Sequence, residues 1–526
     1  MKKIGKISLL MGCLLVFTEC DKQLDLTPLG QLDDNTFYQT ERDFEAASLS
    51  PYSTLLNFYY DQSGLGWYQV MLYPSDEVIN GNAPNDRVDF NWNANDGQFN
   101  YIWEQSYKGI QRANVIIEKL PEATQFTNDT RKKQFEAEAK FIRAYFHFLL
   151  ALNFGTPPLS TSAVNRFEDA TKPPSAPGEI WDIVISDLTF AKQNLPPTWN
   201  AANVGRATSG AAAGMLGRVL LYRAQWDKNN GLYARAIEEL NSVVTSGRYG
   251  LMPNFADNFD ITKENNRESL FEIQFTRGDF NTWLPTDFGA GANENVGHAG
   301  SGRSVVWRPG CGPGNVCAPE ANVSGYGNMH VTVPLQNAFE PGDPRIRDTY
   351  FREGDPYYNA TFNPLWSPTG ATPSKYIRLS DRKLGDFPPN FDLNNDRILR
   401  YADVLLMLAE ARLLGNNDIA GAATLINQVR RRADPTGTIL PDRPAGVSRD
   451  QMFRWLMHER RVELALEGHR YNDLVRWHRA ELINIKADVD FGRQAANSGW
   501  GPRHLLKPIP QRELDLNDLL VQNTGY

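Results

Sequence analysis

The stretch Glu138–Leu159, EAKFIRAYFHFLLALNFGTPPL, decides how the first half of the chain folds. Its apolar residues recur at helical spacing on two neighbouring stripes, Phe141, Tyr145, Phe148, Leu149 and Leu152 on one and Ile142, Phe146 and Leu150 on the other. Two stripes predict a helix that is covered on two sides, and the helical pattern extends over 131–153. Asn153 and Gly155 can adopt the left-handed backbone that ends a helix, and Pro157 cannot continue one.

Arg143 and His147 interrupt this apolar run. A membrane-spanning helix needs about 20 predominantly apolar residues, and a run broken by charge within about 12 residues does not qualify. The stretch is therefore predicted to be a buried helix of a water-soluble body, and not a membrane anchor.

Length and charge narrow the class of protein further. The chain has 526 residues, so we expect one large multilayered body or two to three domains. Its 54 basic and 62 acidic residues give a net charge of −8, with no dense basic block. Nucleic acid is therefore excluded as a partner. Aromatic residues make up 11% of the chain, so some are expected at the surface, where flat rings bind ligands.

The N-terminus, MKKIGKISLLMGCLLVFTEC, has the pattern of a secretory signal: lysines followed by an apolar run from Ile7 to about Phe17. The run ends at a cysteine, as in bacterial lipoproteins whose new N-terminal cysteine is acylated. Cys20 follows a full-length apolar core, although Glu19 stands where a small residue is usual. Cys13 has a better preceding sequence but too short a core. We predict a signal peptide over residues 1–19 and acylation of Cys20, with Cys13 as the alternative.

The other cysteines lie in Cys311-Gly-Pro-Gly-Asn-Val-Cys317, on either side of a turn-forming Pro-Gly. A local disulfide is plausible in an exported protein. Zinc is disfavoured because no nearby pair of histidines completes a ligand set.

Helical patterns dominate both ends of the chain and dissolve between Thr276 and Asn395 into glycine, proline, asparagine and aromatic residues. Small residues recur twelve apart, at Ala224 and Ala236 and again at Ala411 and Ala423, a spacing that resembles tetratricopeptide hairpins. A loop region as long as the middle one is usually functional or an insertion.

The sequence contains only incomplete versions of known catalytic and metal-binding motifs. The motif that begins at His458 lacks the second histidine of a zinc protease, because Val462 stands at that position. The run from Asp392 lacks the glycine of a calcium loop, because Arg397 stands there. Since no nucleophile elbow, phosphate loop or dinucleotide motif occurs, an enzyme is unsupported and no cofactor is expected.

Several segments together resemble the SusD/RagB family of outer-membrane nutrient-binding lipoproteins. They occur in family order over essentially the whole chain: Leu24–Pro28 after Cys20, WEQSYKGIQRANVIIEKL from Trp103, EAKFIRAYFHF from Glu138, GRATSGAAAGMLGRVLLY from Gly205, LRYADVLLMLAEA from Leu399, INQVRRRA from Ile426, ERRVELALEGHRYNDLVRW from Glu459 and PIPQRELDLNDLLVQNTGY from Pro508. One segment alone would be unremarkable, but the ordered set is specific.

The resemblance implies an all-α body of tetratricopeptide-like helical hairpins with a long irregular portion and minor β structure. It implies a SusD-like N-terminal region over residues 20–250, and a C-terminal region over 251–526 that includes the irregular ligand-binding portion. It also implies a lipid anchor in the outer membrane at the cell surface, and a TonB-dependent transporter over which the protein acts as a lid. Arg143 and His147 would then be satisfied internal groups of the scaffold.

The expected function is capture of an extracellular oligosaccharide by a non-catalytic protein. A peptide or glycoprotein-derived ligand in the same role, a surface glycan hydrolase and a repeat scaffold without a small ligand are the alternatives.

Family members bind sugar with an aromatic platform and hydrogen-bonding groups, partly before the Trp103 helix and partly in the irregular middle. The corresponding segments of this chain resemble those of family members in composition but do not match them residue by residue. We predict ligand contacts from Trp92, Asp76, Arg87, Asn95, Trp283, Trp307 and Tyr326.

Overall fold

The computed structural model describes residues 37–59, 66–81, 85–123, 125–126, 128–275, 307–312, 314, 316–318, 325–358, 360–377, 394–489 and 499–526. The helices are α1 Glu41–Ala47, α2 Leu49–Tyr59, α3 Gly66–Met71, α4 Asp86–Asp89, α5 Gly97–Lys119, α6 Asp129–Phe154, α7 Phe167–Ala170, α8 Glu179–Asn194, α9 Ser209–Trp226, α10 Leu232–Thr245, α11 Val333–Gln336, α12 Tyr401–Asn416, α13 Ile419–Ala433, α14 Arg449–Glu463, α15 Arg470–Arg479, α16 Ile485–Asp488 and α17 Gln511–Leu516. The strands are β1 Val78–Ile79, β2 Ser269–Ile273, β3 His330–Val331, β4 Tyr350–Phe351, β5 Pro356–Tyr357, β6 Ala360–Thr361, β7 Thr372–Pro373 and β8 Asp396–Arg400.

Long helices pack side by side in chain order to form one layered scaffold. Helix α6 lies between α5 and α8, α8 packs on α9, and α9 packs on α10. Helix α10 then contacts α12, which pairs with α13 and α14. The alanines at twelve-residue spacing, Ala224, Ala236, Ala411 and Ala423, are buried, as expected where the two helices of a hairpin approach closely. The predicted all-α, tetratricopeptide-like fold with minor β structure is confirmed.

Helix α6 contains the apolar part of the stretch Glu138–Leu159. The apolar pattern predicted a helix over 131–153, and the structure extends it to Asp129–Phe154. The Asn128 side chain caps its first turn by accepting a hydrogen bond from the Arg131 backbone N–H. Gly155 follows with a φ of 79°, a backbone region that favours glycine, so the helix ends where the sequence indicated.

Arg143 and His147 are internal groups of the scaffold. Arg143 binds Asp187 of α8 and donates from Nη1 to the Asn114 side chain of α5, 2.9 Å away. The Nδ1 of His147 bonds the Arg143 carbonyl oxygen at 3.1 Å, and burial lowers the pKa of the ring to about 3. Arg143 is thus satisfied, as expected. His147 is only half satisfied, since its Nε2 has no hydrogen-bond partner among the described residues.

Charged residues bind the irregular portion to the helices. Arg345 pairs with Glu459 at 2.6 Å, and the Lys375 Nζ lies 2.7 Å from a Glu467 carboxylate oxygen. Arg400, at the end of β8, binds Glu467 and the Glu268 carboxylate at 2.8 Å each. These side chains are buried, and burial of a charge is tolerated only with a partner. These charged residues therefore stabilise the packing of the irregular portion.

No helix in the described ranges is long and apolar enough to cross a bilayer. The signal peptide and both candidate acylation sites, Cys13 and Cys20, lie outside the described residues.

Candidate functional site

Three short chain segments meet where the irregular portion joins the helical body. Strand β1 pairs with β3 in antiparallel register, Val78 opposite Val331 and Ile79 opposite His330. The Thr332 backbone N–H donates to the Glu77 carbonyl oxygen at 2.9 Å. Residues 75–81 are therefore held directly against residues 325–332.

The third segment is a small hairpin closed by a disulfide, which we call the disulfide hairpin: residues 310–318 as far as they are described. The structure joins Cys311 to Cys317, the pair that the sequence singled out. Inside the hairpin, Gly312 N–H donates to Val316 O at 2.9 Å, and Ala318 N–H donates to Gly310 O at 3.0 Å.

Backbone hydrogen bonds attach the base of this hairpin to the segment that carries Tyr326. Gly325 N–H donates to Pro309 O at 2.8 Å, and Gly327 N–H donates to Arg308 O at 3.0 Å. Tyr326 lies between the two bonded glycines, so its backbone is held from both sides while its side chain is 53% exposed.

Glycine is required where these segments touch. A Cβ on Gly81 would lie 2.1 Å from His330 Nε2, and a Cβ on Gly310 would lie 3.0 Å from Gly325 O. The His330 ring fills the junction and bonds Gly327 O through Nε2 at 2.9 Å. Burial lowers the pKa of His330 to about 4, so the ring is neutral at physiological pH.

The resulting surface, which we call the Tyr326 face, consists of exposed Tyr326 and of half-buried residues on the two joined segments, Asn80, Gly81, Gly325 and Asn328. An exposed ring supplies an apolar plane, and neighbouring amides supply donors and acceptors. This combination suits a polyhydroxylated ligand. Sequence reasoning missed Asn80 and Asn328; the signal available was asparagine beside glycine in a loop that also carries an aromatic residue.

The other predicted aromatics differ in placement. Trp307 lies three residues before the disulfide hairpin but is 0% exposed, with its ring edge-on to Tyr68 and Tyr376 at centroid distances of 5.7 and 5.8 Å. A ring stacks on a sugar only with an open face, so buried Trp307 does not form part of the Tyr326 face. Trp283 lies outside the described residues.

Trp92 is buried in a different place, and its expected exposure is wrong. The ring is 1% exposed, packs edge-on to Phe99 and His504, and donates from Nε1 to the Tyr526 hydroxyl at 2.6 Å. Its contacts therefore come partly from the C-terminal segment, and no face is open for a sugar. Asn95, three residues further along the chain, is exposed, and its backbone N–H donates to the Asn93 side chain.

Asp76 and Arg87 are engaged inside the protein. Arg87 donates to Gln69 at 2.7 Å and pairs with Asp96 at 2.6 Å. Buried Asp76 accepts from Arg470 at 2.8 Å and pairs with Arg461 at 2.7 Å. Although burial opposes ionisation, the two guanidinium groups hold the pKa of Asp76 below its usual value. In this conformation both residues brace the segment that precedes β1, and a direct ligand contact from either stays a prediction.

Glu77 is the buried acid next to Asp76. Burial raises its pKa to about 8, and the adjacent Asp76 carboxylate adds to the rise. One Glu77 oxygen accepts a hydrogen bond from the Leu466 backbone N–H at 3.1 Å. Within the part of the chain that the structure describes, no group of three metal-ligating side chains forms a metal site.

Comparison with known proteins agrees with this architecture. The family profile described as "SusD family" matches residues 332–526, and the profile described as "Starch-binding associating with outer membrane" matches residues 69–221. The chain is 27% identical to SusD-like protein P38 of Formosa agariphila over 551 residues, covering 100% of both chains.

Solved structures give the same result. A SusD superfamily protein from Bacteroides vulgatus is 26% identical with a TM-score of 0.73, and the match covers 93% of this chain and 100% of that one. A structure named as a laminarin-binding SusD-like protein is 26% identical with a TM-score of 0.74 at the same coverage.

The fold and the Tyr326 face define a helical-repeat protein whose irregular portion carries an exposed aromatic side chain. The chain belongs to the SusD/RagB family.

Proposed function

We propose that the protein captures an extracellular oligosaccharide on the Tyr326 face, without cleaving it, and delivers it to a TonB-dependent outer-membrane transporter. The observation that carries the proposal is Tyr326 itself. It is a half-exposed aromatic side chain whose backbone is bonded on both sides, and it lies among asparagine and glycine. Carbohydrate sites combine such a plane with a few fixed polar groups.

The relatives support the choice of ligand class. One family profile that matches this chain is described as starch-binding, and one similar structure is named for binding laminarin. Both names refer to glycans, and neither decides which glycan this chain takes.

The same profile description supports association with the outer membrane. In our proposal residues 1–19 are removed as a signal peptide, Cys20 is acylated, and the mature protein is anchored at the cell surface. The matches at 69–221 and 332–526 fall within the proposed regions 20–250 and 251–526, respectively. Exposed apolar side chains on the last segment, Leu516, Leu519 and Val521, are available for contact with a partner.

A binding screen tests the ligand class. Protein beginning at Asp21 is applied to a glycan array and a peptide array, and hits are measured by calorimetry, with starch and laminarin among the soluble probes. Saturable binding to a glycan, with no change in its chain length after prolonged incubation, is expected. Binding to peptides alone, or release of shortened glycan, would replace this proposal with a peptide-binding or a hydrolytic one.

Co-purification tests delivery to a transporter. Affinity-tagged full-length protein, extracted in mild detergent from cells grown on the recognised glycan, is expected to bring down a TonB-dependent barrel protein in near-stoichiometric amount. Recovery of the tagged protein alone from such cells would contradict the lid model.

A further inference from the structure

We propose that the Cys311–Cys317 disulfide is a positioning element that pre-organises Tyr326 for ligand binding. This inference rests on the proposed function and deepens it, because it assigns a role in binding to two residues that are not part of the Tyr326 face.

The first support is where the bond lies. The cysteines are separated by only 6 positions, and both belong to the same small hairpin. Both are exposed, with no part in the buried core. A link of this kind cannot tie the helical body together, so its mechanical effect is confined to the hairpin and to whatever the hairpin holds.

The second support is what the hairpin holds. The segment that carries Tyr326 is bonded to the residues leading into the hairpin by Gly325 N–H to Pro309 O and Gly327 N–H to Arg308 O. Gly310, the first residue of the hairpin, accepts a hydrogen bond from Ala318 N–H and also touches the Gly325 carbonyl. The disulfide, the Ala318–Gly310 hydrogen bond and the Tyr326 segment are therefore connected through consecutive backbone contacts. We call this arrangement the backbone stack.

The third support is the entropy cost of ordering that stack. Its contacts are glycine-rich, and glycine loses more backbone entropy on ordering than any other residue. A covalent closure across the hairpin restricts the conformations that it can adopt before ligand arrives. If the hairpin is ordered before the ligand binds, the binding free energy does not have to offset the entropy cost of ordering it. The affinity is then higher.

The test compares wild type with Cys311→Ser, Cys317→Ser and the double variant, in full soluble chains beginning at Asp21. Hydrogen exchange is followed in peptides covering 307–312 and 325–331, and glycan affinity is measured by calorimetry. Faster exchange in both peptides and a two- to tenfold weaker affinity, about the cost of ordering one side chain, are expected. The midpoint of thermal unfolding should stay within a few degrees. Either single variant should match the double, because each removes the same bond.

Tyr326→Ala separates this inference from the proposed function. If wild type binds glycan and Tyr326→Ala does not, but the serine variants bind like wild type, the positioning role is overturned and the site stands. Unchanged exchange in the serine variants overturns the positioning role regardless of ligand. If wild type binds no glycan while exchange still rises, the proposed function fails and the disulfide is only a structural tie.

Discussion

Arg143 and Asp187 form a bidentate ion pair between two central helices: the arginine Nε and Nη2 each donate to one carboxylate oxygen at 2.8 Å. Both side chains are buried. Because desolvation outweighs the guanidinium's attraction, the pKa of Asp187 is raised above its usual value. The pair therefore contributes to stability mainly because neither charge is left buried without a partner.

Removing one member of this pair should be costly. Arg143→Met is expected to lower the free energy of unfolding by about 3–5 kcal/mol, whereas Arg143→Met with Asp187→Leu should recover part of the loss. Urea unfolding checks both. Arg166→Met, which breaks an exposed pair with Asp169, is the matched control and should change stability by about 0–1 kcal/mol. A similarly small effect for Arg143→Met would contradict the assignment.

Tyr326→Ala should weaken glycan binding by about 1–3 kcal/mol, the usual cost of losing an aromatic anchor, with an unchanged circular dichroism spectrum. Tyr326→Phe keeps the ring and should retain most of the affinity. Leu519→Ala removes another exposed apolar side chain and serves as the control. Equal affinity in wild type and Tyr326→Ala would move the site elsewhere on the protein.

Trp92→Ala should act on stability, because the ring is buried and bonded to Tyr526. A loss of about 3–5 kcal/mol in the free energy of unfolding is expected for so large a cavity. Tyr526→Phe, which removes only the hydroxyl that accepts the Trp92 N–H, should cost about 1 kcal/mol. A Trp92→Ala protein of normal stability but reduced glycan affinity would return Trp92 to the binding site.

Glu77 should make stability depend on pH. Its pKa is about 8 in the folded protein and about 4.3 in an unfolded chain. The folded state therefore binds the extra proton between these values. The resulting stability is present in full below about pH 4.3 and is lost as pH rises to about 8.

Glu77→Gln carries a neutral side chain at every pH, so its free energy of unfolding should not fall in this way as pH rises. Between pH 5 and pH 8 its stability relative to wild type should rise by up to about 1.4 kcal/mol for each pH unit. Urea unfolding at both values checks the difference, with Glu122→Gln, a change at an exposed glutamate, as the control. A pH-independent difference between Glu77→Gln and wild type would show that Glu77 is ionised throughout.

Cys20 is the predicted site of acylation. A labelled fatty acid should enter the wild-type protein and Cys13→Ser but not Cys20→Ser, which should be released from the membrane because stable anchoring requires the acyl chains. Loss of label in Cys13→Ser instead would place the processing site at the earlier cysteine.

The sequence by itself determined the helical scaffold. Apolar spacing and the stop at Gly155 are local signals, and helix α6 begins and ends within two residues of where they indicated. The paired cysteines were also a local pattern, since they lie 6 positions apart across a turn-forming segment. The ordered set of segments was enough to name the family.

Only the tertiary structure decided which loop aromatics are exposed. Trp92, Trp307 and Tyr326 all lie in stretches rich in glycine and asparagine, so composition could not distinguish them. Trp92 is covered by residues that include Tyr526, which is 434 positions away in the chain, while Tyr326 stays exposed. Helix formation depends on neighbours within a few positions, whereas burial of a loop side chain depends on which distant segment packs over it.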